Sequence, residues 1–275
     1  MYVFRTELKE KLAKALFTVD FRKNTKKEKY NTHKILQFEK IYDETREYIN
    51  LVSTDSFILY VDSIRALHPF DGRLTLKTAR ELLEFLKVNK SKDIQIINNQ
   101  SEKESNKVPS IKINTTNDNL LQWQFLETKD YITNFSVEPK HLKSLVSRMK
   151  TIQETYKSLL KTFTIEDQAV INLIKIKMED DYLKVTNGLY EFENLPKYEI
   201  LIPCIIRTRI MEPIILNLNY LKKILYYQKS PVLNFASTVE KYSTVEKYRF
   251  FRVHNTITEF FYFIESRYFK ESQIN

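Results

Sequence analysis

One succession of apolar patterns occurs twice along this chain, and any fold it adopts has to accommodate both copies. The first copy opens with a strand pattern at Tyr2 to Phe4, followed by a helix pattern in which Leu8, Leu12, Ala15 and Leu16 recur on one face. Alternation predicts strands at 35–41, 48–54 and 57–64, and Asp71-Gly72 marks a turn. Leu74 to Leu76 predicts a short strand, and Thr78 caps a helix whose stripe is Leu82, Leu83, Phe85 and Leu86. Strands resume at 94–97 and 111–114, separated by a polar loop over 98–107. The second copy begins with a strand at 134–137 and a helix from Pro139 to about Thr151, proline being suited to a first helical turn. Strands follow at 169–178, 182–185, 189–192 and 199–207. Then Ile214 to Leu216 leads into a helix over 219–227, with strands at 232–236, 248–253 and 259–264.

The copies agree in detail. Leu8-Lys9 and Leu12 match Leu142-Lys143 and Val146, while Leu74-Thr75-Leu76 with Leu82, Phe85 and Leu86 match Ile214-Ile215-Leu216 with Leu221, Ile224 and Leu225. The expectation is an α+β chain of two similar domains, 1–130 and 131–275, each with two helices packed on antiparallel sheets. A length of 275 residues suits two domains at ~150 residues each. A shorter duplication, Ser-Thr-Val-Glu-Lys-Tyr at 237–242 and 243–248, reads as a tandem insertion in a hairpin connection and is assigned no chemistry.

Several function classes drop out. With glycine only at Gly72 and Gly188, neither a Walker loop nor a dinucleotide-binding loop can be built. The single cysteine, Cys204, excludes an internal disulfide and a thiolate cluster, and its place in the apolar run 200–206 reads as a strand position. His33, His68, His141 and His254 lie far apart without ligand spacing. Glu179-Asp180-Asp181, with Lys184 beyond, invites a divalent-metal nuclease reading, but the two aspartates fall between strand patterns where a hairpin turn is expected. No cofactor or metal is therefore expected, and no enzymatic activity. No window approaches the ~20 apolar residues that span a bilayer, so no membrane association is expected and the cytosol, nucleus or a host cytosol is the expected location.

Heavy use of Lys, Asn, Ile, Tyr and Phe is what an AT-rich genome produces, so the placement of lysines says more than their number. They fall on all four predicted helices. The first carries Arg5, Lys9, Lys11 and Lys14, and the second Lys77, Arg80, Lys87 and Lys90. Lys140, Lys143, Arg148 and Lys150 lie on the third, with Lys222, Lys223 and Lys229 on the fourth. Each helix thus pairs an apolar stripe with a basic face, and the net charge of +9 suits a polyanion. Neither an aromatic stacking platform nor helix-turn-helix spacing is visible, so the implied contact is backbone tracking on a polyanion without sequence readout.

With these features the sequence resembles the DNA sliding clamps, the family of bacterial β clamps, phage clamps and proliferating cell nuclear antigen. The segments that carry the resemblance are Leu51-Val-Ser-Thr-Asp55-Ser-Phe-Ile-Leu, Asp71 to Leu86, and Asp93-Ile-Gln-Ile96 in the first half. In the second half they are Glu212 to Leu225 and Val232-Leu-Asn-Phe235. The resemblance implies two helices and two small sheets per domain, helices lining a hole, and partner peptides in an apolar groove. It also implies that the polyanion is double-stranded DNA, and a processivity factor that tethers a DNA polymerase and works with a clamp loader. Two domains rather than three is similar to the phage, archaeal and eukaryotic clamps, and six domains around a duplex then require a homotrimer joined head to tail. The strand at 94–97 and those after Tyr248 are candidates for the seam, which the sequence does not single out. A basic balance where clamps are commonly acidic leaves an open processivity factor, a Mg²⁺-dependent DNA-processing enzyme and a clamp-mimicking replication protein as alternatives.

Overall fold

The computed structural model describes residues 1–19, 34–43, 46–55, 58–98, 108–117, 120–155, 172–187, 198–210, 213–226, 228–238, 250–254 and 259–264. The chain divides into two compact units: Met1–Thr128 with Ile257–Phe261, and Lys129–Thr256 with Tyr262–Asn275.

In unit 1, β1 (Tyr2–Phe4) runs without a side-chain cap into α1 (Arg5–Thr18), which buries Leu8, Leu12, Ala15 and Leu16. The antiparallel strands β2 (Ile35–Asp43), β3 (Arg46–Thr54) and β4 (Ile58–Leu67) follow, and β5 (Gly72–Leu74) closes onto β2. The turn residue His68 has φ 55°, a left-handed conformation that costs a non-glycine residue energy. The ten-residue β4 does two jobs. Its residues 59–65 pair with β3, and its end, Ala66 and Leu67, pairs with β1. A helix α2 (Leu76–Val88) then leads to β6 (Asp93–Asn98), which lies between β1 and β7 (Ser110–Ile113), the latter parallel to it. A two-residue β8 (Thr115–Thr116) completes the edge beside β5, and a 3₁₀ turn at Gln124–Leu126 follows; neither is visible as a sequence pattern.

Unit 2 repeats this plan. Its β9 (Tyr131–Val137) precedes α3 (Pro139–Thr155), and β10 (Leu173–Glu179) pairs with both β11 (Tyr182–Asn187) and β14 (Ile214–Asn217), as β2 does with β3 and β5. The counterpart of β4 is split. β12 (Glu199–Pro203) pairs with β11, and β13 (Ile205–Ile206) pairs with β9. A helix α4 (Leu218–Leu225) leads to β15 (Leu233–Thr238), which lies between β9 and β16 (Phe250–His254). The last strand, β17 (Glu259–Ile264), is divided between the units at Phe261.

Three expectations need correction. Leu76 opens α2 rather than ending a strand, and the cap is Thr75, whose hydroxyl accepts from the Thr78 amide at 3.1 Å; the extended ψ of 159° at Thr75 marks the boundary. The single strand over 199–207 breaks at Cys204. Pro203 has no N–H to donate, and the Cys204 amide turns aside to the Asp181 carbonyl at 3.1 Å, handing the chain from one sheet to the other. The helix expected over 219–227 starts one residue earlier, at Leu218 after the Asn217 cap, and stops at Leu225. Of the loop expected at 98–107, Asn98 belongs to β6, paired with Ile113, and the rest, with the strand at 189–192 and most of the hexapeptide duplication, lies outside the described residues.

Candidate nucleic-acid interface

The helices pair within each unit, α1 with α2 and α3 with α4. Their apolar stripes go to the core, so the fate of the basic residues decides what each helix offers to a polyanion. On α1 they are consumed internally. Arg5 donates to the carbonyls of Ser91 at 2.8 Å and Leu86 at 3.0 Å, which ties the start of α1 to the end of α2. Lys11 lies 3.1 Å from Glu7 and 2.9 Å from Asp62, and donates to the Ser63 carbonyl at 2.7 Å. Burial pulls its pKa down, but Asp62 and Glu7 outweigh that and the ammonium ends above its ordinary range. Lys14 is 6% exposed and sits 2.6 Å from Glu259, itself 3% exposed. Asp62 also accepts from the Tyr60 hydroxyl at 3.1 Å; burial, then the charges of Asp62 and Glu259, push that phenol well above its usual pKa. Lys9, like Arg5, is half-buried.

The α2 set is open to solvent. Lys77, Arg80, Lys87 and Lys90 are all exposed, with Lys77 3.9 Å from Glu81 and Lys87 2.7 Å from Glu84. Exposed pairs of this kind contribute ~0–1 kcal/mol and exchange readily for another anion. Lys90 follows the helix end at Val88 rather than lying on it. Lys140, Lys143, Arg148 and Lys150 on α3 are likewise exposed; Lys140 touches Glu138 at 2.5 Å, and Lys143 donates to the Gln228 carbonyl at 3.2 Å. On α4, Lys223 is 8% exposed, Lys222 is half-buried, and Lys229 is exposed but lies beyond the helix.

Against the expectation of an open basic face on every helix, Lys14 and Lys223 are buried and Lys11 lies between two carboxylates. Sequence reasoning missed Asp62 and Glu259, which neutralise α1. Both are carboxylates inside apolar strand patterns, Ile58-Leu-Tyr-Val-Asp62 and Glu259-Phe-Phe-Tyr-Phe, and a buried carboxylate requires a cation.

Asp180 and Asp181 form the β10–β11 turn, with Asp180 2.5 Å from Arg209. Among the described residues no group of three His, Cys, Asp or Glu could hold a metal, and no described helix is long and apolar enough to cross a membrane. The Cys204 thiol is pushed up to about 11, first by burial and then by Asp181.

No protein-family model matches the chain, and no curated protein matches it by sequence. Among solved structures, the chain is similar to the β sliding clamp of Caulobacter crescentus, with TM-score 0.66 at 12% identity over 97% of this chain and 65% of that one. The DNA polymerase III β subunit of Thermotoga maritima gives the same four values. The DNA polymerase III β sliding clamp of Bartonella birtlesii gives TM-score 0.61 at 15% identity, again over 97% and 65%. The chain thus spans about 65% of the length of the clamps it matches.

Proposed function

We propose that this chain, which has the sliding-clamp fold, is a non-enzymatic processivity factor that tracks duplex DNA without reading sequence and tethers a DNA polymerase. The observation that carries this is the repeated unit with paired helices that leave cations exposed on α2 and α3. Domains 1–130 and 131–275 are the corresponding functional halves. A clamp loader is a further expected partner. The Mg²⁺-dependent alternative has no observation in its favour, since Asp180 sits in an exposed ion pair at a turn.

Three copies joined head to tail complete the proposal. Heterologous contacts close a ring when the rotation closes, and six domains then surround one duplex. For the seam we propose a different edge from the candidates at 94–97 and after Tyr248. β6 has β1 and β7 on its two sides, and β16 has β15 and β17. By contrast β12 and β13 each have one neighbour among the described residues, and they expose Leu201 and Ile205 at 52% and 57%. An unpaired edge with exposed apolar side chains is suited to continuing a sheet into another copy. Light scattering of the full chain tests this: about three times 33.0 kDa, with retention on circular but not linear DNA, is expected. A monomer at micromolar concentration that leaves both forms of DNA equally fast overturns the ring, and failure to bind duplex overturns the function.

A further inference from the structure

The repeat places α1 and α3 at equivalent positions, which allows their charges to be compared one by one. Position 142 less position 8 gives an offset of 134, and it matches Leu8 with Leu142 and Ala15 with Met149, all four buried. At that offset Lys9 matches Lys143 and Lys14 matches Arg148. The cations are kept, but their surroundings are opposite. Lys14 is buried against Glu259, whereas Arg148 is exposed. The α1 carboxylates Glu7 and Glu10 match His141 and Ser144, so α3 has lost the acids that α1 carries. Between Glu138 and Glu154 there is no carboxylate at all, while Lys140, Lys143, Arg148 and Lys150 alternate with the exposed hydroxyls of Ser144, Ser147 and Thr151. From Lys140 to Thr151 this face runs roughly 16 Å at ~1.5 Å per residue, room for two or three backbone phosphates. Lysine, arginine, serine and threonine are the side chains that contact DNA phosphates.

We propose that the two units share the duplex unequally: α3 is the principal phosphate-contact surface, α2 a secondary one, and α1 makes no phosphate contact that matters to affinity. This rests on the function proposed above and adds which helix performs it. The asymmetry follows from electrostatics. A cation held by a buried carboxylate would have to leave that partner uncompensated to reach a phosphate. An exposed cation, even one in an exposed ion pair as Lys140 is with Glu138, exchanges its partner for a phosphate at little cost.

Binding of the full chain to a fluorescent duplex, followed by anisotropy across a salt series, tests the assignment. The K143Q/R148Q/K150Q variant is compared with K87Q/K90Q and with K9Q, all at exposed or half-exposed positions, with circular dichroism as the folding check. The α3 variant is expected to lose about tenfold or more in affinity and ~2.7 in the log-log salt slope, from three contacts at ~0.9 each. The α2 variant loses less, and K9Q stays within about twofold of wild type. Wild type that binds while the α3 variant matches K9Q overturns the asymmetry and leaves the function standing. Wild type that does not bind duplex, or binds anionic vesicles instead, overturns both.

Discussion

Replacing Lys14 by methionine should be among the most damaging single changes in unit 1, and replacing Glu259 as well should undo most of the damage. The side chains of Lys14 and Glu259 are 7% and 5% exposed and meet at 2.6 Å. Removing either partner leaves a charge buried without its counterion, which costs ~3–5 kcal/mol, whereas replacing both by apolar groups of similar volume is near neutral. With a urea m-value of ~2 kcal/mol/M for a unit of this size, the K14M midpoint should fall by roughly 1.5–2.5 M. The chain supplies its own reporter. Its single tryptophan, Trp123, is 2% exposed and belongs to unit 1, as do Lys14 and Glu259, so tryptophan emission follows the unit that is perturbed. A double-mutant cycle with E259L then gives the coupling, expected to be large because the two residues are in contact. A K14M cost under ~1 kcal/mol, or a double mutant no better than the sum of the singles, would refute a desolvated pair.

Three further outcomes are expected. Tyr60 and Lys11 both have native pKa values above their ordinary 10.0 and 10.5, so the stability they contribute is present at neutral pH and lost as pH rises past about 10; urea midpoints at about pH 8 and 11 should differ by less in Y60F, and an equal drop removes Tyr60 as a source. The His254 imidazole is held below its ordinary 6.5, by burial and then by Arg252, so the unfolded chain binds the proton first and stability falls as pH drops through that value; H254N should flatten the loss between about pH 7.5 and 5, and an unchanged profile contradicts this. A Cβ on Gly72 would sit 2.5 Å from the Thr115 Cβ on the neighbouring strand, so G72A should cost about 1–3 kcal/mol and T115G should recover part of it; thermal melts of the two variants check this, and full tolerance of G72A contradicts it.

Much of the fold was legible because local signals and tertiary packing agree. The bounds of β1 and β17 and the first residue of α3 coincide with their patterns, since the strands are short runs rich in aromatic and β-branched residues and the helix has a proline start. The repeat shows even in the pairing scheme, with β4 and the β12–β13 pair each passing from one sheet to the next. What escaped were elements made by long-range pairing alone. β8 is two threonines held by β5, and the 3₁₀ turn is fixed by Trp123 donating its indole N–H to Glu39 at 2.8 Å and by Gln37 bonding the Leu121 backbone.

The candidate site was less legible than the fold, and for a definite reason. Helical periodicity specifies which side of α1 turns away from its own sheet, and by that rule Lys11 and Lys14 are as good as Lys143 and Arg148. It cannot specify what the rest of the chain brings to that side. Asp62 is 51 residues from Lys11 and Glu259 is 245 residues from Lys14, so both neutralising carboxylates arrive through tertiary structure. The one local hint is the pair Glu7 and Glu10, carboxylates within a turn of the lysines, which α3 lacks at His141 and Ser144. In a repeated fold, therefore, a cation counts towards a phosphate surface only after the acids near it in both copies have been compared, and by that comparison α3 keeps its charge while α1 spends it within unit 1.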